Sequence, residues 1–236
     1  MTFFAPPNAT CWICGAPADS AEHMVKASDF RSAFGEVTHK APAYRHSERQ
    51  PNVPVRGAKA NILKFAPSLC CVCNTTRTQV HDRAWQTFSN YIRALRPALS
   101  AGSRIPVHII FPGSVERSML GIHLYFLKLL GCYAIEYKIP LPLAHFGLCI
   151  QNGIAHPSLR LIFVHIAPQT TRYNIQVGHI NAINVDGKTV SASWFYIVEN
   201  IGVAISYVEA DHPRLTRDQG WHPCDIGAQI RMAATR

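Results

Sequence analysis

Two CxxC pairs constrain the fold of this chain more than any other feature. Cys11 and Cys14 lie in "CWICG", Cys70 and Cys73 lie in "CCVCN", and residues 15–69 separate the pairs. Two such pairs are typical of a tetrahedral zinc site, in which each pair forms a tight turn and four thiolates bind one ion. A thioredoxin-like redox pair explains only one of the motifs. The sequence therefore predicts a structural Zn²⁺ site that closes a long inserted segment.

The remaining sequence features indicate a cytoplasmic protein with no membrane partner. Disulfides are not needed in a chain of 236 residues, and the N-terminal "MTFFAPPNAT" lacks the basic start and apolar core of a signal peptide. The apolar run "MLGIHLYFLKLLGCYAI" contains a histidine and a lysine and is short for a bilayer. The cysteines outside the pairs are expected to bind no metal, with Cys71 a bystander and Cys132, Cys149 and Cys224 buried free thiols.

Positive charge is concentrated in the first part of the chain. The formal net charge is +9, and residues 1–98 hold twelve Lys and Arg against six Asp and Glu. Such an excess favours a polyanionic partner, and we expect nucleic acid, with DNA preferred and RNA left open. Residues 36–60 are basic and interrupted by proline, which predicts a loop. This loop either follows a phosphate backbone or is simply solvated; its basic side chains are Lys40, Arg45, Arg49, Arg56 and Lys59.

Apolar periodicity predicts an α+β fold in two parts. Residues 28–34 are predicted as a short helix between Ser28 and Gly35, and Trp85, Phe88 and Ile92 have the spacing of a helical face. Residues 1–98 form the zinc-containing part in this interpretation. Residues 99–236 form an α+β domain with an antiparallel sheet.

The second part is predicted to alternate between one buried helix and several strands. The run "IPVHIIF" predicts a strand, and a buried helix is expected from Ser114 to Gly131. Asp186-Gly187 is a strong hairpin signal between two apolar runs. Further strands are predicted in "LRLIFVHIA", "RYNIQVG" and "VAISYVE".

The order of motifs in the first part resembles the HNH, or ββα-metal, nuclease family in its zinc-containing form. A CxxC pair precedes "EH" on a predicted strand, and the second CxxC pair is followed at once by Asn74 and a helix. The resemblance covers about residues 8–95. It implies a ββα-metal unit with a structural zinc and a separate catalytic Mg²⁺ or Mn²⁺. The chain departs from the family at the middle asparagine, where Phe65 stands and Asn61 is the nearest substitute.

The resemblance implies roles for the polar residues next to the cysteines. His23 would be the general base, since a neutral imidazole suits that role near neutral pH. Asn74 would bind the divalent ion as in the HNN variant of the family, and Glu22 would be a second ligand, because hard ions prefer oxygen. Structural alternatives remain open: His23 paired with Glu22 or with a backbone carbonyl, and Asn74 as a turn residue or helix cap.

Three further residues after the second cysteine pair are candidates for the same site. His81 and Asp82 lie one to two helical turns beyond Asn74, where either can face the metal. The alternative for Asp82 is the N-cap of the helix that carries Trp85. Arg77 can hold the scissile phosphate or simply face solvent.

The leading hypothesis is a metal-dependent HNH-type endonuclease that hydrolyses DNA phosphodiester bonds in its N-terminal part. The alternative is a non-catalytic, zinc-dependent nucleic-acid-binding module, which explains the zinc and the charge but not the "EH" pair. A third hypothesis is a zinc-containing interaction protein without a nucleic-acid partner.

Overall fold

The computed structural model describes residues 9–47, 50–95, 98–166, 174–209, 220–225 and 230–234. Its α-helices are α1 (Ala27–Phe34), α2 (Gln79–Ala94), α3 (Val107–Ile110), α4 (Val115–Glu136) and α5 (Leu143–Asn152). Its strands are β1 (Ala43–Arg45), β2 (Val53–Val55), β3 (Leu159–His165), β4 (Ile175–Val177), β5 (Asn181–Val185), β6 (Lys188–Val198), β7 (Ile201–Val208) and β8 (Ala233–Ala234). The predicted α+β class with an antiparallel sheet is confirmed.

Residues 19–24 pair with residues 63–69 in an irregular antiparallel ladder, here called the knuckle ladder. Its bridges join Ser20 to Leu69 and His23 to Lys64. Backbone hydrogen bonds from Met24 to Leu63 and from Phe65 to Glu22 complete it. A six-residue π-helix, Val72–Arg77, begins within the second cysteine pair, includes Cys73 and leads into α2. The two segments of the ladder therefore precede helix α2 along the chain.

The segment between the two halves of the knuckle ladder is more ordered than the sequence predicts. Helix α1 begins at Ala27, so Ser28 lies inside it, whereas Gly35 ends it with a φ of 67° as expected. The predicted loop 36–60 contains the antiparallel hairpin β1–β2. Asn52 adopts a left-handed φ of 58° just before β2, which allows the chain to reverse.

The main sheet has the strand order β4–β6–β7–β3–β8, and β5 also pairs with β6. Its pairs are antiparallel except β3 with β8. Asp186 and Gly187 both have positive φ between β5 and β6, as the predicted tight hairpin requires. Strand β6 alternates buried and exposed residues along most of its length, with Trp194, Tyr196 and Val198 facing the core.

The second part differs from its predicted elements at α3, α4, α5 and the unpredicted strand β8. The run "IPVHIIF" forms the short helix α3 rather than a strand, because Pro106 stands at the helix start, where its missing N–H costs nothing. Helix α4 begins after Ser114 as expected but continues past Gly131 to Glu136. Helix α5 was not predicted. Cys224 is exposed, not buried.

Helix α4 is the central element of the protein. By length and composition it could cross a membrane, but 83% of its apolar 18-residue stretch is buried inside the protein. The core helix of a globular fold has the same properties. Trp85 of α2 stacks on Tyr125 of α4 and packs edge-on against Tyr196 of β6. A single hydrophobic cluster therefore joins residues on both sides of position 98, and the division of the chain there stays a prediction.

Candidate metal centre and cationic patch

The four cysteines of the CxxC pairs lie together. The Sγ atoms of Cys11, Cys14, Cys70 and Cys73 are all within 4.8 Å of one another, and those of Cys14 and Cys70 are 3.6 Å apart. A tetrahedron with Zn–S bonds of about 2.3 Å has S–S edges of about 3.8 Å. The four thiols therefore fit one tetrahedral metal ion and can hold it.

The first knuckle, residues 11–16, is a tight turn. The N–H of Gly15 donates to the carbonyl of Cys11 at 2.8 Å, and Gly15 has a φ of 78°, which favours glycine. The backbone N–H of Ala16 is the main cause that lowers the pKa of Cys14 to about 7. The N–H of Trp12 donates to the carbonyl of Ser68 at 3.2 Å, so this turn is fixed to the knuckle ladder.

The second knuckle, residues 70–74, opens the π-helix. The N–H of Cys73 donates to Cys70 Sγ at 3.3 Å, and Arg77 Nη1 donates to Cys73 Sγ at 2.9 Å. Arg77 thus lies against a candidate metal ligand, where its charge offsets that of a thiolate. Its predicted contact with phosphate stays a prediction. Cys71 is outside the cluster; its N–H donates to Asp19 Oδ1 at 2.6 Å.

Asn74 connects the second knuckle to the segment that carries "EH". Its Nδ2 donates to Ser20 Oγ at 2.9 Å and to the carbonyl of Ala21 at 3.3 Å. These bonds use the amide nitrogen and place Asn74 two to three positions from His23 along the ladder. The structure therefore brings Asn74 and the "EH" segment together beside the cysteine cluster.

His23 lies in a cationic environment. It is half-buried, and its Nε2 is buried without a hydrogen-bond partner among the described residues. Burial, together with nearby Lys64 and Lys26, lowers the pKa of His23 to about 4. Lys128 and Lys59 act in the same direction. The imidazole is consequently neutral at physiological pH and is a weaker base than an ordinary histidine.

Three of these lysines form what we call the cationic patch: Lys26, Lys59 and Lys64. Lys64 is the bridge partner of His23, and Lys59 is exposed. Within the described part of the chain, none of the three is ion-paired with a carboxylate. The patch therefore carries uncompensated positive charge beside the histidine.

The side chains of Glu22 and Asp82 lie together around the ammonium group of Lys128. The Nζ of Lys128 lies 2.7 Å from Glu22 Oε2 and 2.8 Å from Asp82 Oδ1, and it donates to Thr78 Oγ1 at 3.2 Å. The other oxygen of Glu22 accepts the N–H of His23 at 2.9 Å. Burial would lower the pKa of Lys128, but the two carboxylates raise it overall, so the ammonium is charged.

The four-cysteine zinc site and the catalytic divalent-ion site at Glu22 and Asn74 differ in how well their residues fit a metal ion. Both oxygens of Glu22 are engaged, one by Lys128 and one by the backbone, so this carboxylate does not fit a divalent ion as arranged. Among the described residues, one cluster brings together the ligand atoms of three or more His, Cys, Asp or Glu side chains, and it consists of the four cysteines. Binding of a divalent ion by Asn74 stays a prediction.

The remaining predicted residues are spread more widely. His81 is buried, and its Nδ1 has no partner among the described residues; burial first, then Lys128, lowers its pKa to about 4. Arg45 Nη1 donates to the carbonyl of Ile62 at 2.9 Å, and Arg56 is exposed. Arg49 lies outside the described residues. Their predicted phosphate contacts stay predictions.

Sequence reasoning missed Lys128, Lys26 and Lys64. A lysine within "LYFLKLLG" of a buried helix signals an anionic partner, because lysine is almost never fully buried unpaired. Lys64 gave no signal, since its position opposite His23 depends on the register of the ladder.

No family model, curated protein or solved structure matches this chain.

Proposed function

We propose that this chain binds nucleic acid through the cationic patch of a zinc-stapled, HNH-like ββα unit. The observation that carries the proposal is the pairing of His23 with Lys64 beside two further lysines without carboxylate partners. Phosphates bind such groups through charge and release counterions, without needing a catalytic ion. DNA is the substrate class the sequence favours.

The zinc supplies rigidity to this surface. With Zn²⁺ bound, Cys11 and Cys14 are held to Cys70 and Cys73, and both halves of the knuckle ladder are fixed next to them. Lys64 belongs to this ladder and Lys26 follows its first segment, so loss of the metal should disorder the surface proposed to bind the phosphates.

A second candidate function is phosphodiester hydrolysis. The Nε2 of His23 favours it, because this nitrogen has no hydrogen-bond partner among the described residues and its lone pair is available to a general base. Asn74 next to the same ladder supports it as well. The pKa of about 4 makes His23 a weak base near neutral pH, which counts against fast hydrolysis. The engagement of Glu22 by Lys128 favours binding over hydrolysis.

One experiment separates the two functions. Zinc-loaded protein is incubated with supercoiled plasmid without added divalent ion, and then with Mg²⁺ or Mn²⁺, and both gel retardation and strand cleavage are scored. Binding without cleavage supports the first proposal. Mg²⁺- or Mn²⁺-dependent nicking that is lost in His23→Ala would favour hydrolysis, and no binding at low salt would overturn both.

A further inference from the structure

We infer that the ammonium group of Lys128 is the resident cation of the Glu22–Asp82 site, in the place where the resemblance implies a divalent ion. The inference concerns the chain's own charges and does not rest on nucleic-acid binding. It predicts that the native protein binds no divalent ion at this position.

The contacts of Lys128 form a complete shell. An ammonium has three N–H donors, and the Nζ of Lys128 has three oxygen partners: Glu22, Asp82 and Thr78. The side chain is fully buried, and its Nζ lies 5.8 Å from the centroid of the Tyr125 ring. No donor is left over for a substrate, so Lys128 balances charge inside the protein.

The three oxygen partners come from three separate elements. Glu22 lies on the knuckle ladder, Asp82 in the first turn of α2, and Thr78 at the end of the π-helix. The hydroxyl of Thr78 also donates to the carbonyl of Cys73 at 3.0 Å. Lys128 of α4 therefore joins the central helix to the elements that surround the cysteine cluster.

Two carboxylates this close require a cation. Glu22 is nearly buried and the side chain of Asp82 is 21% exposed, so unpaired charge on both would be strongly unfavourable. Two carboxylate oxygens and a hydroxyl are also the ligand type that a hard divalent ion takes. An added ion would have to displace a lysine whose helix is packed on all sides, which leaves no room for it.

The test replaces the ammonium and asks whether a metal ion takes its place. Lys128→Ala should be less stable than wild type without divalent ions, because it leaves two carboxylates unpaired. It should bind one Mn²⁺ by electron paramagnetic resonance titration, and Mn²⁺ at 100 times its Kd should restore stability by about 2.7 kcal/mol. Lys128→Ala/Glu22→Gln is the matched control, and it should bind Mn²⁺ at least tenfold more weakly.

Mn²⁺ binding is also measured on zinc-loaded wild type and Glu22→Gln, and this measurement does not depend on the folding of Lys128→Ala. Neither should bind Mn²⁺ below millimolar concentration. Mn²⁺ binding by wild type that is lost in Glu22→Gln would overturn the inference, and so would a folded Lys128→Ala that binds no Mn²⁺. If Lys128→Ala does not fold, the absence of Mn²⁺ binding by wild type supports it.

Discussion

His23 and Lys64 face each other as a cross-strand pair of the knuckle ladder. In antiparallel pairing, residues directly opposite have Cβ atoms about 4.5–5.5 Å apart, so the imidazole shares its surroundings with a fixed positive charge. Burial first, and then the charge of Lys64, lowers the pKa of His23 and keeps its imidazole neutral, while the lysines around it attract anions. The register of the ladder places Lys64 directly opposite His23.

The four-cysteine cluster predicts different effects for substitutions at Cys14 and at Cys71. Cys14→Ser removes one ligand of the cluster, so the protein should lose its bound zinc and unfold at a lower temperature, because structural zinc supplies folding free energy. Cys71→Ser is the matched control, since Cys71 is exposed and outside the cluster. Metal analysis and thermal unfolding measure both, and equal zinc content in the two variants would contradict the assignment.

The first knuckle packs on a glycine of α4. A methyl group at Gly131 would lie 2.6 Å from the indole of Trp12, the residue that follows Cys11 in the first knuckle. Gly131→Ala should therefore destabilise the protein by about 1–3 kcal/mol through overpacking, despite the better helix propensity of alanine. It should also speed zinc release to a chromophoric chelator.

Gly57→Ala is the control for this substitution. A methyl group there meets no atom within 4 Å, so stability should change by less than about 0.5 kcal/mol. Equal stability and equal zinc release in the two variants would show that the contact between Trp12 and Gly131 does not hold the knuckle.

The shared core predicts that both parts of the chain unfold together. The hydroxyl of Tyr196 donates to Asp29 Oδ2 at 2.8 Å and accepts the N–H of Lys26 at 3.1 Å, so it joins β6 to α1. Tyr196→Phe leaves the N–H of Lys26 unpaired and should cost about 1–3 kcal/mol in a single cooperative transition. Tyr44→Phe, at an exposed tyrosine, should be neutral; two separate transitions in wild type would contradict the shared core.

The sequence predicted what depends on local pattern. The cysteine spacing led to the cluster, the apolar period of Trp85 and Phe88 led to α2, and Asp186-Gly187 led to the β5–β6 hairpin. It failed at "IPVHIIF", where Pro106 begins a short helix, and at Lys128, whose partner Glu22 is more than a hundred residues away in the sequence. Partners of a buried charge are set by tertiary packing, which a single sequence does not encode in any local signal.

Acid should destabilise the protein through His81. Its pKa is lowered from its usual value to about 4 in the fold, chiefly by burial, so the unfolded chain binds protons more readily. This contribution to stability is complete above pH 6.5 and is lost as pH falls from about 6.5 to about 4. Below pH 6.5, His81→Gln should reduce the slope of unfolding free energy by up to about 1.4 kcal/mol per pH unit.

The pH range above 7 is the control for the comparison of wild type with His81→Gln. Above pH 7 the two curves of unfolding free energy should run parallel, even if the substitution lowers both through lost packing. Chemical denaturation at a series of pH values measures this, and identical slopes between pH 4 and 6.5 would contradict the low pKa of His81.

The salt dependence of DNA binding tests the central claim most directly. Fluorescence anisotropy with a labelled duplex, zinc-loaded protein and no added divalent ion gives log Kd against log salt for wild type, for Lys59→Gln/Lys64→Gln and for Lys188→Gln. Each phosphate contact contributes about 0.9 to the slope, so the double variant should lose about 1.8 and bind more weakly to every sequence. Lys188, exposed at the start of β6, should leave the slope unchanged. A double variant with the wild-type slope would contradict the account.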